Sequence, residues 1–351
     1  MDSDQLESGQ NQASPAEAPD NRWQASADDF ARLRAGPVFS HLDELAVLQV
    51  EGADAISFLH AQVTADIAAM TPTSWQLGGY CTPKGRLLAI FECWRWESGL
   101  RMILPANNAA ATLRRLSMFV LRSKARLTDA TSAWSAIAVF GAGSARILGG
   151  LALEVPDRPG QCTTLVGDGR LAMRPHGANC VERFLLVVPA QERDSWMNRL
   201  ATAAGGAAQV ASTLWWWSQV DAAVPAVFES TRELFVPQAV NLELVDGVSF
   251  RKGCYPGQEI VARSQYLGKL RRRLVLGHVD EVGVGSDVFH DEAPNAVGRV
   301  VMAASAPQGG WDMLFECPTD KTEHGSLHVG NAQGPAIEVR TLPYPIFDPT
   351  A

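Results

Sequence analysis

The sequence predicts an α+β protein with a separate all-β part at its C-terminal end, and three observations carry that expectation. The chain has 351 residues, more than one typical core organises. Through its first three quarters, strand-like apolar runs such as 87–96 alternate with helical spacing such as Ile56, Leu59 and Val63. From Arg271 onward the helical spacing stops. Short strands at 273–279, 297–302, 311–316 and 337–342 follow one another between Gly, Pro and Asp. The expected division is an unstructured acidic tail over 1–35, a core of two interleaved α+β subdomains over 36–270, and a β domain over 271–351.

Composition narrows the class. A hydrophobic fraction of 46% and a charged fraction of 19% are those of a globular chain, and no apolar run approaches the length of a membrane span. The formal net charge of -8 argues against a broad nucleic-acid surface. The stretch 269–273, four bases in five residues, is read as the solvated edge of a strand. Six cysteines, at 81, 93, 162, 180, 254 and 317, form neither a C-x-x-C pair nor a Cys/His cluster with metal-ligand spacing. No metal site is therefore expected. With no basic, apolar signal at the N-terminus, free thiols in a reducing cytoplasm are expected.

The elements follow in order. Residues 1–20 hold five acids, no base and little apolar surface, too little to offset chain entropy. A strand over 45–50 leads to a helix over 54–63. The glycine-rich turn Gly78 to Arg86 reads as the entry to a hairpin whose long strand is 87–96; its glycines lack the spacing of a nucleotide phosphate cradle. Asn107 or Asn108 is placed at the cap of a helix ending near Arg122. Strands over 134–140 and 182–188 and helices after Gly143 and over 195–204 come next. Ser212 or Thr213 then opens a helix bearing Trp215, Trp216 and Trp217. Three consecutive residues on a helix point in three directions, so the indoles cannot share one core face. Asp221, one turn beyond Trp217 among apolar neighbours, needs a hydrogen-bond donor.

The densest chemistry lies at Lys252-Gly253-Cys254-Tyr255-Pro256-Gly257-Gln258-Glu259. Gly253 and Gly257 allow close backbone approach and Pro256 stiffens the turn between them. A helix is compatible with 258–263, which puts Cys254 just ahead of a helix start with Arg251, Lys252 and Arg263 nearby. Helix N-termini and cations favour a thiolate. The plainer reading makes Cys254 a small buried hydrophobe.

That octapeptide resembles the K-G-C-Y-x-G-Q-E signature of the YgfZ proteins, bacterial folate-binding relatives of the glycine cleavage system T protein. The likeness continues through Phe235 to Gln238, Asn241-Leu242, Ser249-Phe250, Thr82 to Arg86 and Gln62 to Asp66. The resemblance implies a T-protein-like fold of three parts around a central folate-binding opening, with a C-terminal β-barrel. It implies bound tetrahydrofolate or a derivative. It also implies an accessory role in the assembly, maintenance or repair of iron-sulfur enzymes, whose enzymes or assembly factors would be partners, together with a link to tRNA modification. By position, Trp215 and Asp221 correspond to folate contacts, a second family tryptophan falls at Leu45, and Cys254 is the functional thiol. The aminomethyltransferase relatives carry an aspartate pair just after the second glycine turn. Here Gly85-Arg86-Leu87-Leu88-Ala89 offers no such base, so aminomethyl transfer is not expected. The alternative is a folate-dependent one-carbon transferase that uses Cys254, or a tRNA-modification factor.

Overall fold

A computed structural model describes residues 23–97, 99–174, 177–179, 182–203, 209–266 and 271–346. In chain order, α1 (Ala27–Ala35), β1 (Val38–His41), β2 (Leu45–Glu51) and α2 (Ala55–His60) precede the hairpin of β3 (Trp75–Cys81) and β4 (Leu87–Trp96). β5 (Gly99–Pro105), α3 (Ala106–Ser117), β6 (Arg126–Asp129), β7 (Trp134–Phe140) and α4 (Ser144–Gly150) follow. Next come β8 (Cys162–Thr164), β9 (Arg170–Met173), β10 (Arg183–Pro189), α5 (Arg193–Ala203), α6 (Ser212–Asp221) and α7 (Gln258–Tyr266). The C-terminal part is β11 (Arg272–Val279), β12 (Asp287–His290), β13 (Gly298–Ser305), β14 (Trp311–Pro318), β15 (Leu327–Val329) and β16 (Glu338–Arg340).

These strands build three antiparallel sheets in the orders β3-β4-β5-β2-β6, β1-β7-β10-β9-β8 and β15-β12-β13-β14-β11-β16. Each sheet turns alternate side chains to opposite faces. In β10, Phe184, Leu186 and Val188 pack outward with Trp196 and Leu200 of α5, while Leu185 and Val187 face inward. In the first sheet, Leu48 and Val50 join Phe58 and Leu116 on the outer face, while Ile90, Trp94 and Ile103 face inward. The third sheet curls as a half-barrel around Val288, Val300, Met313 and Phe315 and presents Leu274, Val301 and Leu314 to the rest of the molecule. Backbone bonds from Ile337 N to the Leu327 carbonyl (2.8 Å) and from Val329 N to the Pro335 carbonyl (3.0 Å) tie its two ends together.

The three inward faces meet around α6, whose residues 214–221 are all buried. Trp215 meets Phe140 of the second sheet edge to face, with centroids 5.6 Å apart. Trp216 stacks on Trp23 at 5.1 Å. Trp217 abuts Phe30 at 5.2 Å and donates its indole N–H to Asp312 of the third sheet at 2.9 Å. The three directions seen in the sequence are thus three different neighbours.

Two expectations are corrected. The unstructured tail expected over 1–35 is folded in its described part: residues 27–35 form α1, capped by Ser26 through a bond from Asp29 N, and Trp23 and Phe30 are buried against α6, while 1–22 lie outside the described residues. Composition averaged over the tail hides these two aromatics, which supply the missing apolar surface. The cap expected at Asn107 or Asn108 is not one: α3 starts at Ala106, after Pro105, and ends at Ser117. Asn108 is fully buried instead. Its amide donates to the carbonyls of Leu88 and Val227, both at 2.9 Å, and its Oδ1 accepts from Arg232 Nη1 at 2.8 Å. Replacing Asn108 with Ala leaves two buried carbonyls and the half-buried Arg232 guanidinium without this partner and is expected to lower unfolding free energy by about 3 kcal/mol, measured by urea denaturation.

Candidate functional site

The two glycine-rich turns are far apart in sequence and meet in space. Gly257 has φ +85° and lies so close to the first turn that an added Cβ would fall 2.5 Å from the Thr82 carbonyl oxygen and 2.8 Å from Gly85. Gly85, at φ +72°, is packed in turn against Ile260 of α7. Behind them Gln238 Nε2 donates to the Val261 carbonyl at 2.6 Å and anchors α7. Gly253, by contrast, has open space around it.

The signature residues separate by depth. Tyr255 is buried. Lys252 is 8% exposed, and its Nζ donates to the carbonyls of His60 and Val63 and lies 5.0 Å from the Tyr255 ring centroid. Burial pulls the Lys252 ammonium down to about 8, with Asp66 and Cys254 opposing the fall. A neutral amine keeps two N–H donors, as many as the two carbonyls accept. His60 is likewise held below its usual value by burial and then by Lys252, with Asp66 opposing. Gln258 and Glu259 open α7. Cys254 is exposed, whereas Cys81, Cys93, Cys162 and Cys317 are buried free thiols. Burial pushes the thiols of Cys81 and Cys317 up to about 12 and that of Cys162 to about 11. Cys180 lies outside the described residues. Among those described, Cys254 is therefore the thiol that a solution reagent meets.

Beside this loop lies a cavity of about 720 Å³, with Asp66, Arg251 and Phe250 from the signature side and Trp75, Glu92 and Tyr344 from the others. Tyr344 is held by a bond from its hydroxyl to the Ala223 carbonyl at 2.9 Å. Trp75 stacks on Trp94 at 4.7 Å with an interplanar angle of 7°, and its indole N–H donates to Glu92. Glu92 forms an ion pair with Arg174, which is 2% exposed and also donates to Gln219 Oε1 at 3.2 Å. Arg183 donates to the same Gln219 oxygen and, through Nε, to Ser218 Oγ at 3.1 Å. A narrow extension beyond Glu92 and Arg174 is walled by Trp215 and Leu45. The cavity thus combines aromatic walls with a buried ion pair.

Sequence reasoning missed Trp75, Glu92, Arg174 and Tyr344. They come from strands and loops with no motif, and only the sheet register brings them together. The residues it named are placed differently from one another. Trp215 is buried at the inner extension, with the Arg183 guanidinium 4.7 Å from its ring. Asp221 does not line the cavity. Its carboxylate accepts from Asn179 N at 2.9 Å and Asn179 Nδ2 at 2.7 Å, and Gly177 passes so close that a Cβ there would lie 2.0 Å from Oδ2. The basic stretch 269–273 is partly spent internally: Arg273 pairs with Glu243 and Arg272 with Glu316. Its residues 269 and 270 lie outside the described residues.

Substituting Gly257→Ala adds both left-handed strain and a clash with backbone, an expected loss of about 3 kcal/mol. Gly253→Ala is expected to leave the thermal midpoint within experimental error, so calorimetry on the pair checks the contact between the turns. Lys252 gives a pH signature. Its folded value of about 8 lies below the 10.5 of the unfolded chain, so between those values the unfolded chain binds the extra proton. The penalty of the buried ammonium applies in full below about pH 8 and is relieved as pH rises. Wild type is expected to gain stability relative to Lys252→Met between pH 7 and pH 10, followed by denaturant titration.

No family model matches the chain. It is 28% identical over 330 residues to the tRNA-modifying protein YgfZ of Pectobacterium carotovorum subsp. carotovorum, covering 92% of this chain and 96% of that one. It is 31% identical over 308 residues to the tRNA-modifying protein YgfZ of Edwardsiella ictaluri, covering 86% of this chain and 91% of the relative. In structure it is similar to the glycine cleavage system aminomethyltransferase T of Bartonella henselae, with a TM-score of 0.73 at 16% identity over 90% of this chain and 88% of that one, a likeness of fold. With nine-tenths of a 31% identical relative matched, the chain belongs to the YgfZ family.

Proposed function

We propose that the protein is a folate-binding accessory factor in tRNA modification that supports the assembly, maintenance or repair of iron-sulfur enzymes. The observation that carries this reading is the cavity of about 720 Å³ in an aminomethyltransferase-like fold, bounded by Trp75, Phe250 and Tyr344 and closed at its inner end by Glu92 and Arg174. Planar rings gain about 1 to 3 kcal/mol by stacking on aromatic side chains. A pterin presents adjacent N–H donors suited to a carboxylate, and the glutamyl tail of tetrahydrofolate is anionic. Glu92 serves the first and Arg251, at the cavity wall beside the signature loop, serves the second. Trp215 backs the inner extension. Asp221 contributes directly only when Asn179 releases it.

Cys254 is the functional thiol in this proposal. It is exposed, precedes α7 by four residues and has the Lys252 amine as an electrostatic neighbour. The aminomethyltransferase reaction itself is not proposed, because Leu87, Leu88 and Ala89 are fully buried in β4 where those relatives carry their aspartates.

Tetrahydrofolate is expected to quench the tryptophan fluorescence of wild type, and Phe250→Ser to raise its Kd at least about tenfold by removing one aromatic wall. Absence of quenching in wild type removes folate from the reading. In a strain lacking its own family member, Cys254→Ala is expected to bind folate normally yet fail to restore iron-sulfur enzyme activity. Full restoration by that variant would return Cys254 to a passive role, and Cys254-dependent change of a one-carbon unit on folate would favour the transferase reading.

A further inference from the structure

The segment joining α3 to β6 departs from the chemistry of the rest of the surface. Residues 98–128 contain no Asp or Glu, although the whole chain carries a formal net charge of -8. Within residues 114–126 stand five bases: Arg114, Arg115, Arg122, Lys124 and Arg126. Arg115 turns inward toward Tyr80, and the other four are exposed. Between them Met118 is 68% exposed, Phe119 42% and Leu121 86%.

Leu121 is unfavourable twice over. It exposes an isobutyl group to water and holds φ at +45°, a conformation that Gly or Asn adopts at lower cost. The loop is nevertheless well fixed. Val120 packs against the outer core, Ser123 N donates to the Val120 carbonyl at 2.8 Å, and Lys124 N donates to Asp54 Oδ2 at 2.7 Å. Asp54 N returns a bond to the Lys124 carbonyl at 3.2 Å. A fixed loop that presents Met118, Phe119 and Leu121 to solvent exposes apolar surface that a binding partner would cover.

We propose that the α3–β6 loop is an RNA docking surface, in which Arg114, Arg122, Lys124 and Arg126 meet phosphates and Phe119, Met118 and Leu121 contact an unstacked base or its ribose. The proposal rests on the tRNA-modification reading for its choice of partner and on this loop for its location. Bases without acids suit a polyanion, and apolar side chains set among them act as wedges or stacking platforms for bases. Acids do border the surface: Glu51 lies opposite Arg126 across the β2–β6 pair, and Asp54 is engaged with the Lys124 backbone. Four exposed bases against one cross-strand acid leave the loop basic.

The test uses the full chain and a fluorescein-labelled, in vitro transcribed tRNA, followed by anisotropy between about 50 and 200 mM KCl. With four phosphate contacts, the slope of log K against log salt should be about -3. Arg122→Gln with Lys124→Gln should flatten it by about two units. Phe119→Ser with Leu121→Asn should raise Kd at least about fivefold. Leu121→Asn alone relieves the left-handed strain, so its melting midpoint should equal or exceed that of wild type, which separates loss of binding from loss of fold.

Wild type that binds tetrahydrofolate but no tRNA overturns this surface while leaving the cavity reading intact; tRNA binding without folate binding does the reverse. tRNA binding unchanged in all three variants also overturns it. A wild-type dimer in sedimentation that Leu121→Asn dissociates, without an effect on tRNA binding, would reassign the loop to contact between copies of the chain.

Discussion

Burial of α6 on every side is the constraint from which the arrangement follows. A helix hydrophobic along one stripe needs one neighbour, but a helix with Trp215, Trp216 and Trp217 in succession needs neighbours all round. The three sheets supply them, each with its inward alternate residues, and the N-terminal Trp23 and Phe30 fill what the sheets leave. The same helix buries Ser218, Gln219 and Asp221, whose polar groups must find partners in a medium without water. Arg174, Arg183 and Asn179 reach in to meet them. The buried charge beside the cavity is thus tied to how one helix is accommodated.

That link gives the cavity its character. Arg174 is shared between Gln219 of α6 and Glu92 of β4, so the first sheet, the central helix and the loop after β9 are joined at one guanidinium. Glu92 is further fixed by the Trp75 indole, itself held by stacking on Trp94. A ligand entering from the Phe250 side meets side chains already oriented by the protein's own contacts, which reduces the ordering cost of binding. The floor of the cavity and the core of the molecule are the same set of residues.

The signature loop obeys a different logic. Its glycines are not equivalent: Gly257 is required by contact with the Thr82 to Arg86 turn, whereas Gly253 stands in open space beside the exposed Cys254. In the buried half, beside Tyr255, Lys252 fastens the loop to the carbonyls of His60 at the end of α2 and Val63 just after it. One half of the motif is architecture and the other presents a thiol. The α3–β6 loop shows a related division, with Val120 packed inward and Leu121 forced outward.

Local pattern determined much of this protein by itself. The strand at β4, the hairpin turn before it, the helix α6, the short strands of the C-terminal sheet and the octapeptide with its cysteine are all legible from spacing and turn residues, because backbone preference and side-chain periodicity are local properties. The indole directions were legible for the same reason. What the chain could not disclose alone is which distant residues share a volume. Trp75, Glu92, Arg174 and Tyr344 carry no motif, and strand register and the packing of three sheets bring them to one cavity. Asp221 shows the converse: its need for a donor follows from its apolar neighbours, but that the donor is Asn179 was decided by the path of residues 177–179 over the helix. Local chemistry states what each side chain requires, and tertiary structure decides who supplies it.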